Sequence, residues 1–143
     1  MPDSERLYFR LNLAAHRLRV LADQRLLAAA GITAAQAGVL LIVADADGPV
    51  RQRDLARLLR QRESAVTTMV ERLTAAGLLA RERPPADARA WVLTLTAAGE
   101  RALAAVRTAA DALNAEAFAG LDGRERAAFA AALERVLGNV AEG

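Results

Sequence analysis

The sequence predicts a mainly α-helical fold with one small β-hairpin. Three observations support this prediction. Apolar residues recur every three or four positions along most of the 143-residue chain, which is the spacing of one buried helix face. Capping residues and glycines divide this pattern into separate helices. The pattern becomes extended only over residues 78–96, where turn residues separate two short apolar runs.

The composition excludes several classes of protein. The chain has no cysteine and one histidine, which rules out disulfides, thiolate chemistry and a multi-histidine metal site within one chain. No apolar run reaches the roughly 20 residues of a membrane span, and the start MPDSERLYF lacks an apolar signal core. We therefore expect a single cytoplasmic domain with no metal and no cofactor.

The first predicted helix runs from Asp3 to Ala30, with Asp3 or Ser4 as its cap and Gly31 at its end. At 1.5 Å per residue such a helix is about 40 Å long. That length exceeds one small domain, so we expect part of it to pack on another subunit. Its apolar face comprises Leu7, Leu11, Ala14, Leu18, Leu21, Ala22 and Leu26.

The second helix begins at Thr33-Ala-Ala-Gln36, which has the form of a capping box, and continues to about Asp45. Residues 44–50 form a turn, with or without a short strand. A short amphipathic helix over 51–59 and a tight connection over 60–62 follow. The next helix spans 63–76 and ends before Gly77. The predicted inward residues of these two helices are Leu55, Leu58 and Leu59, then Val66, Met69, Val70 and Leu73.

The remaining chain predicts a hairpin and two more helices. Residues 78–84 and 90–96 are extended, and the turn residues of 84–89 between them predict a projecting loop. Thr96 caps a helix that Gly120 ends, and Asp122 with Glu125 resembles a second capping box. The apolar faces of these helices comprise Ala98, Ala102, Val106, Ala109, Leu113 and Ala117, then Phe129, Leu133, Val136, Leu137 and Val140.

The order helix, tight turn, helix and hairpin is that of a winged helix-turn-helix, in which the second helix enters the ~12 Å-wide major groove of DNA. The charge distribution supports this interpretation. Residues 51–89 hold nine arginines and five acidic residues, a net charge of +4, although the whole chain carries only +2. A basic cluster alone could be an ordinary solvated helix face, but here it coincides with the helix pair and the hairpin.

Residues 54–99 resemble the winged helix of the MarR family of bacterial transcriptional regulators. The matching positions are Leu55-Ala56, Ser64, Val66, Thr67, Val70, Arg72, Leu73, Gly77-Leu78, Arg81, Asp87-x-Arg89 and Leu95-Thr96-x-x-Gly99. The spacing from the Asp-x-Arg pair to the Leu-Thr-x-x-Gly motif is the most specific part. The chain departs from the family pattern in its turn, where Arg60-Gln61 replaces a small and an apolar residue, and at position 68, which is often basic and here is Thr68.

The resemblance implies one domain over 1–143, mainly α with a small β-wing. A winged helix-turn-helix over 33–96 would be flanked by dimerisation helices at 1–31 and 97–143. It implies a homodimer on a pseudo-palindromic double-stranded DNA operator, usually a repressor released by a small aromatic or phenolic effector. The sequence does not separate a repressor from an activator.

The candidate DNA-binding residues cluster on the second helix of the motif and on the hairpin. Arg89 is expected to enter the minor groove, held by Asp87; the alternative is an ordinary surface ion pair. The hydroxyls of Ser64, Thr67 and Thr68 suit phosphates or bases, although Ser64 also suits a helix cap. The full predicted set is Arg51, Arg53, Arg60, Arg62, Ser64, Ala65, Thr67, Thr68, Arg72, Arg83, Asp87 and Arg89.

Tyr8, Asn12, His16 and Arg17 are candidates for a pocket that binds an organic anion, because ligands in this family often lie between the dimerisation helices and the winged helix. The alternative is a surface or subunit-contact role. Trp91 is predicted to pack in the core or the wing, and the alternative is a contact with a ligand.

Two other function classes remain as alternatives. An enzyme fits poorly, since the chain lacks a phosphate-binding glycine motif and a convincing acid–base pair. A helical protein-interaction module that no longer binds specific DNA would leave the concentration of arginines without a use.

Overall fold

The computed structural model describes residues 6–84, 86 and 89–141. Over these residues the helices are α1 (Leu7–Ala30), α2 (Ala34–Asp45), α3 (Gln52–Leu59), α4 (Glu63–Ala75), α5 (Ala97–Ala117) and α6 (Gly123–Val140), and the strands are β1 (Val50–Arg51), β2 (Leu79–Glu82) and β3 (Val92–Leu95). The mainly helical fold with a small β-wing is confirmed. The caps predicted at Asp3 or Ser4 lie outside the described residues. No single helix in the described part of the chain is long and apolar enough to cross a membrane.

The junction between α1 and α2 follows the local sequence signals. Gly31 adopts a left-handed conformation, with φ of +69°, and its N–H donates to the Leu27 carbonyl at 3.0 Å. Both hydrogen bonds of the capping box between Thr33 and Gln36 are present. The Asp23 carboxylate on α1 also accepts the Ala34 N–H at 2.7 Å. The start of α2 is thus held both by its own cap and by α1.

The three strands form an antiparallel sheet in the order β1-β3-β2. Val50 pairs with Leu93, and Leu79 pairs with Leu95. The segment that the sequence left as a turn or a short strand therefore contains a short strand, which pairs with the second strand of the predicted hairpin.

The Leu-Thr-x-x-Gly motif closes the junction between the sheet and α5. Thr96 caps α5 by accepting the Gly99 N–H at 2.9 Å, and its hydroxyl donates to the Gly77 carbonyl at 2.6 Å. The Thr96 N–H donates to the Leu78 carbonyl at 3.2 Å. A Cβ at position 99 would overlap that carbonyl oxygen, so glycine is required there for close approach.

The core lies between α2, α3, α4, the sheet and α5, with the end of α1 along one side. Its buried members are Leu26, Ile32, Ala37, Val39, Leu40, Val43, Val50, Leu55, Ala56, Val66, Val70, Leu73, Leu79, Leu93, Leu103 and Val106. The prediction that Leu58 points inward is wrong, since it is 58% exposed. Leu55, Ala56 and Leu59 face the core, and their shared face is centred about 100° around the helix from Leu58 at 3.6 residues per turn.

The outer helices leave much apolar surface exposed. Asp122 and Glu125 form the predicted capping box at the start of α6, but α6 buries no residue within the chain. Phe118 and Phe129 join α6 to α5 with ring centroids 6.0 Å apart. The predicted apolar face of α6 therefore lies largely in solvent around a single chain, whereas that of α1 is exposed near the helix start and is half-buried or buried from Leu18 to Leu26. The exposed large apolar residues of the two helices are Leu7, Tyr8, Phe9, Leu11, Leu13, Val20 and Leu27 on α1 and Phe129, Val136, Leu137 and Val140 on α6.

Candidate nucleic-acid interface

The turn between α3 and α4 is tight because its first residue is left-handed. Arg60 has φ of +52° and is the one non-glycine residue with positive φ in the part of the chain that the structure describes. The Gln61 N–H donates to the Ala56 carbonyl at 3.0 Å and closes the turn. Arg60, Gln61 and Arg62 are all exposed, so both turn arginines are available at the surface.

The outer face of α4 is formed by Ser64, Ala65, Thr68 and Arg72, all exposed, opposite its buried apolar face. Arg62, which has no side-chain cap bond, is the N-cap, so the alternative role of Ser64 as the cap is wrong. The Thr68 hydroxyl donates to the Ser64 carbonyl at 3.1 Å.

Thr67 differs from its neighbours on α4. It is half-buried and its hydroxyl accepts the Gln52 Nε2–H at 3.3 Å. The structure thus turns Thr67 towards the wing and away from the outer face of α4 that Ser64 and Thr68 occupy.

The wing is organised around Trp91. The guanidinium carbons of Arg81 and Arg83 lie over its ring, 4.3 and 4.2 Å from the centroid, which is cation–π distance. The predicted packing role of Trp91 in the wing is confirmed. Arg89 is exposed two residues before Trp91, while Asp87, its predicted partner, lies outside the described residues.

A cavity of about 220 Å³ separates the wing from the start of α4. Arg51 and Arg53 border it from β1 and α3, and Arg89 borders it from the wing. Glu63 is the acidic residue on its wall. Arg57, in contrast, pairs with Asp54 at 3.0 Å. The fold therefore brings arginines from two separate segments of the sequence, 51–53 and the wing, around the N-terminal end of α4.

Comparison with known proteins agrees with this geometry. A sequence model described as "MarR family" matches residues 30–90. The chain is 32% identical over 122 residues to the transcriptional regulator HosA of Escherichia coli O111:H-, which covers 82% of this chain and 90% of HosA. This protein belongs to the MarR family of transcriptional regulators.

Two solved structures extend the likeness to nearly the whole chain. BpsR of Bordetella bronchiseptica, whose DNA binding is regulated by 6-hydroxynicotinic acid, is 28% identical with a TM-score of 0.79, covering 92% of this chain and 98% of that one. A mutant MarR from E. coli in complex with operator DNA is 25% identical with a TM-score of 0.81, covering 92% and 93%. These relatives are transcriptional regulators rather than enzymes. They confirm the predicted MarR-family winged-helix fold.

A second cavity of this MarR-family chain lies between α1, α2 and α5. A cavity of about 460 Å³ is lined mainly by apolar residues, with Arg19 and Asn114 as polar groups. It adjoins an apolar cavity of about 230 Å³, and both share Gly38 and Leu113.

The structure does not bring the predicted effector residues to that cavity. Tyr8, Asn12, His16 and Arg17 are all exposed, and the Asn12 side chain donates to the Tyr8 carbonyl at 2.9 Å. None of these four residues lines the cavity, which α1 borders through Ala15, Leu18, Arg19 and Ala22.

Sequence reasoning did not single out Gln52, Arg19 and Asn114, the polar residues that the structure places on the walls of these cavities. Arg19 follows the apolar Leu18 on α1, and Asn114 follows Leu113 on α5. A polar residue directly beside an inward apolar residue was the available signal. Gln52 lies between Arg51 and Arg53 and has no apolar neighbour, so it carried no such signal.

Proposed function

We propose that this regulator binds a specific double-stranded DNA operator as a homodimer, with α4 in the major groove and the wing beside it. The observation that carries the proposal is the convergence of Arg51, Arg53 and Arg89 at the N-terminal end of α4. Cations around an exposed helix start suit phosphates on either side of a groove. The MarR mutant that resembles this chain was solved with operator DNA, which supports the same mode of binding.

Each residue then has a distinct role. Ser64, Ala65, Thr68 and Arg72 form the exposed face of α4 and contact base edges or adjoining phosphates. The arginines of β1, α3, the turn and the wing contact the DNA backbone; these are Arg51, Arg53, Arg60, Arg62 and Arg83. Thr67 is set apart from this group by its bond to Gln52.

Arg89 is proposed to insert into the minor groove, where narrow A/T-rich segments concentrate negative potential. Its position at the exposed end of the wing supports this role. The ion pair with Asp87 remains a prediction.

Dimerisation is proposed from the uncovered apolar surface. Leu7, Phe9 and Leu137 are 64%, 66% and 59% exposed, and α6 buries no residue in its own chain. A set of exposed apolar side chains of this extent marks an interaction surface. A symmetric dimer built from the residues of 1–31 and 97–143 would cover it and would present two winged helices (33–96) to a pseudo-palindrome.

Effector control is proposed at the cavity between α1, α2 and α5. Its apolar walls suit an aromatic or phenolic ring, and Arg19 suits a carboxylate or phenolate. The control of BpsR by 6-hydroxynicotinic acid supports a small-molecule effector here. The effector would release the protein from DNA, so the regulator would act as a repressor in the cytoplasm.

The test is a binding titration on the DNA upstream of the gene, with a scrambled duplex of equal length, at several salt concentrations. We expect tighter binding to the upstream DNA and a log–log slope of about −0.9 per phosphate contact. Equal affinity for the two duplexes would overturn the proposal.

Arg89→Ala tests the wing, with Arg101→Ala on the exposed surface of α5 as the matched charge control. The wing variant should lose about tenfold in operator affinity, because each subunit loses an arginine contact, and the control should lose less than twofold. Equal losses would mean that net charge alone drives binding.

A further inference from the structure

Gln52 makes hydrogen bonds to two other elements at once. It is the first residue of α3, directly after β1. Its backbone N–H donates to the Trp91 carbonyl at 3.0 Å. Its side-chain Nε2–H donates to Thr67 on α4 at 3.3 Å. One residue therefore joins the recognition helix to the base of the wing.

The two partners of Gln52 belong to the two parts of the proposed DNA interface. Thr67 lies one helix position from the exposed Thr68. Trp91 supports Arg81 and Arg83 through its ring. A shift of Gln52 would therefore change the position of α4 relative to the arginines of the wing.

The remaining polar atom of Gln52 has no partner within the described residues. Its side-chain oxygen, Oε1, is buried and accepts no hydrogen bond. Gln52 itself borders the cavity between the wing and α4. Buried amide oxygens are usually paired. The bond to Thr67 is therefore the side-chain hydrogen bond that holds the Gln52 amide between α3 and α4.

We propose that Gln52 is a positioning residue that fixes the distance between α4 and the wing, and thereby sets how strictly the protein distinguishes its operator from other DNA. The inference rests on the proposed operator binding. Specific binding needs the helix and the wing to meet two grooves at a fixed separation, whereas non-specific binding depends on phosphates and tolerates movement between the two parts. Fixing the two parts before binding lowers the ordering cost of the specific complex alone.

Three substitutions isolate the side-chain bond. Gln52→Ala removes the donor and leaves the backbone bond to Trp91. Thr67→Val removes the acceptor with little change of shape. Thr67→Ser keeps the hydroxyl and serves as the rescue variant. Thr74→Val, a half-buried threonine later on α4 whose hydroxyl donates to the Val70 carbonyl of the same helix, is the matched control.

Affinity for the operator and for a scrambled duplex should respond differently. We expect Gln52→Ala and Thr67→Val each to weaken operator binding at least fivefold and scrambled-duplex binding less than twofold. The double variant should lose no more than the larger single variant, because both changes remove one bond. Thr67→Ser should recover most of the loss, and Thr74→Val should match the wild type.

Two further measurements keep a folding defect apart from a positioning defect. Thermal unfolding shows whether each variant is folded at the assay temperature. Trp91 is the sole tryptophan, so its emission and acrylamide quenching report on the base of the wing. We expect the quenching to rise in Gln52→Ala and Thr67→Val and to return towards the wild-type value in Thr67→Ser.

Several results would overturn the inference. Equal losses on both duplexes would make Gln52 a phosphate contact or a general stability residue. Additive losses in the double variant would make Gln52 and Thr67 independent DNA contacts. Unchanged operator affinity in Gln52→Ala would remove any role. A wild-type protein that does not prefer its operator would overturn the proposed function itself, which is a separate outcome.

Discussion

The left-handed conformation of Arg60 allows stability and DNA binding to be separated at one position. A non-glycine residue at φ of +52° carries a conformational cost that glycine avoids. Arg60→Ala removes the guanidinium but keeps this cost, while Arg60→Gly removes both. Arg60 is exposed, so neither variant leaves a cavity in the core.

The magnitude follows from the backbone geometry. The left-handed region costs an L-residue roughly 1–2 kcal/mol, and the greater unfolded-state freedom of glycine offsets about 0.5–1 kcal/mol of the gain. Arg60→Gly should therefore exceed Arg60→Ala in unfolding free energy by about 0.5–1 kcal/mol. For a domain of this size that difference raises Tm by about 2–4 °C.

The two Arg60 variants should differ in stability but not in their affinity for DNA. If Arg60 contacts a phosphate in each subunit, both variants lose two contacts per dimer and the log–log salt slope falls by about 1.8 in magnitude. Thermal unfolding at one protein concentration and titration at several salt concentrations measure the two effects. A glycine variant less stable than the alanine variant would refute the conformational argument. An unchanged salt slope would refute the phosphate contact.

Four further outcomes are expected. Gly99→Ala should lower the unfolding free energy by about 2–4 kcal/mol, because the added Cβ overlaps the Leu78 carbonyl and displaces the cap of α5. Gly38→Ala should raise the unfolding free energy by about 0.5–1 kcal/mol, because its added Cβ meets only an ordinary 3.8 Å contact. Denaturant titrations measure both changes. Leu137→Glu should yield monomers in analytical ultracentrifugation, and a fully dimeric variant would contradict the assigned interface. Asp23→Ala should cost about 1 kcal/mol, because the first amide of α2 loses its carboxylate partner; an unchanged Tm would show that the helix's own cap suffices.

Features of the fold that depend on neighbouring residues could be predicted from the sequence. The capping boxes at Thr33 and Asp122 and the turn at Gly31 involve residues within four positions of one another, so local spacing carries them. The orientation of Leu58 could not be predicted this way. Leu58 lies three positions after Leu55, a spacing that is compatible with an inward direction. Only the packing of α3 against α2 and α4 decides whether the side of the helix with Leu58 or the side with Leu59 is buried.

The candidate site divides in the same manner. The arginines around the helix pair and on the wing could be predicted from the motif, and the structure brings Arg51, Arg53 and Arg89 to one cavity. The hydrogen bond between Gln52 and Thr67 could not be predicted from the sequence, because it joins residues 15 positions apart on two helices. The sequence also could not show which residues of α1 border the cavity between α1, α2 and α5, because that depends on how α1 lies against α5.

Hydroxyl-radical footprinting of the wild-type protein on the DNA upstream of its gene tests the central claim most directly. We predict protection of two half-sites related by two-fold symmetry, with centres about one helical turn, or roughly 34–36 Å, apart. Minor-groove protection next to each half-site should disappear in Arg89→Ala. Protection spread evenly along the duplex, or a pattern unaffected by Arg89→Ala, would contradict the account.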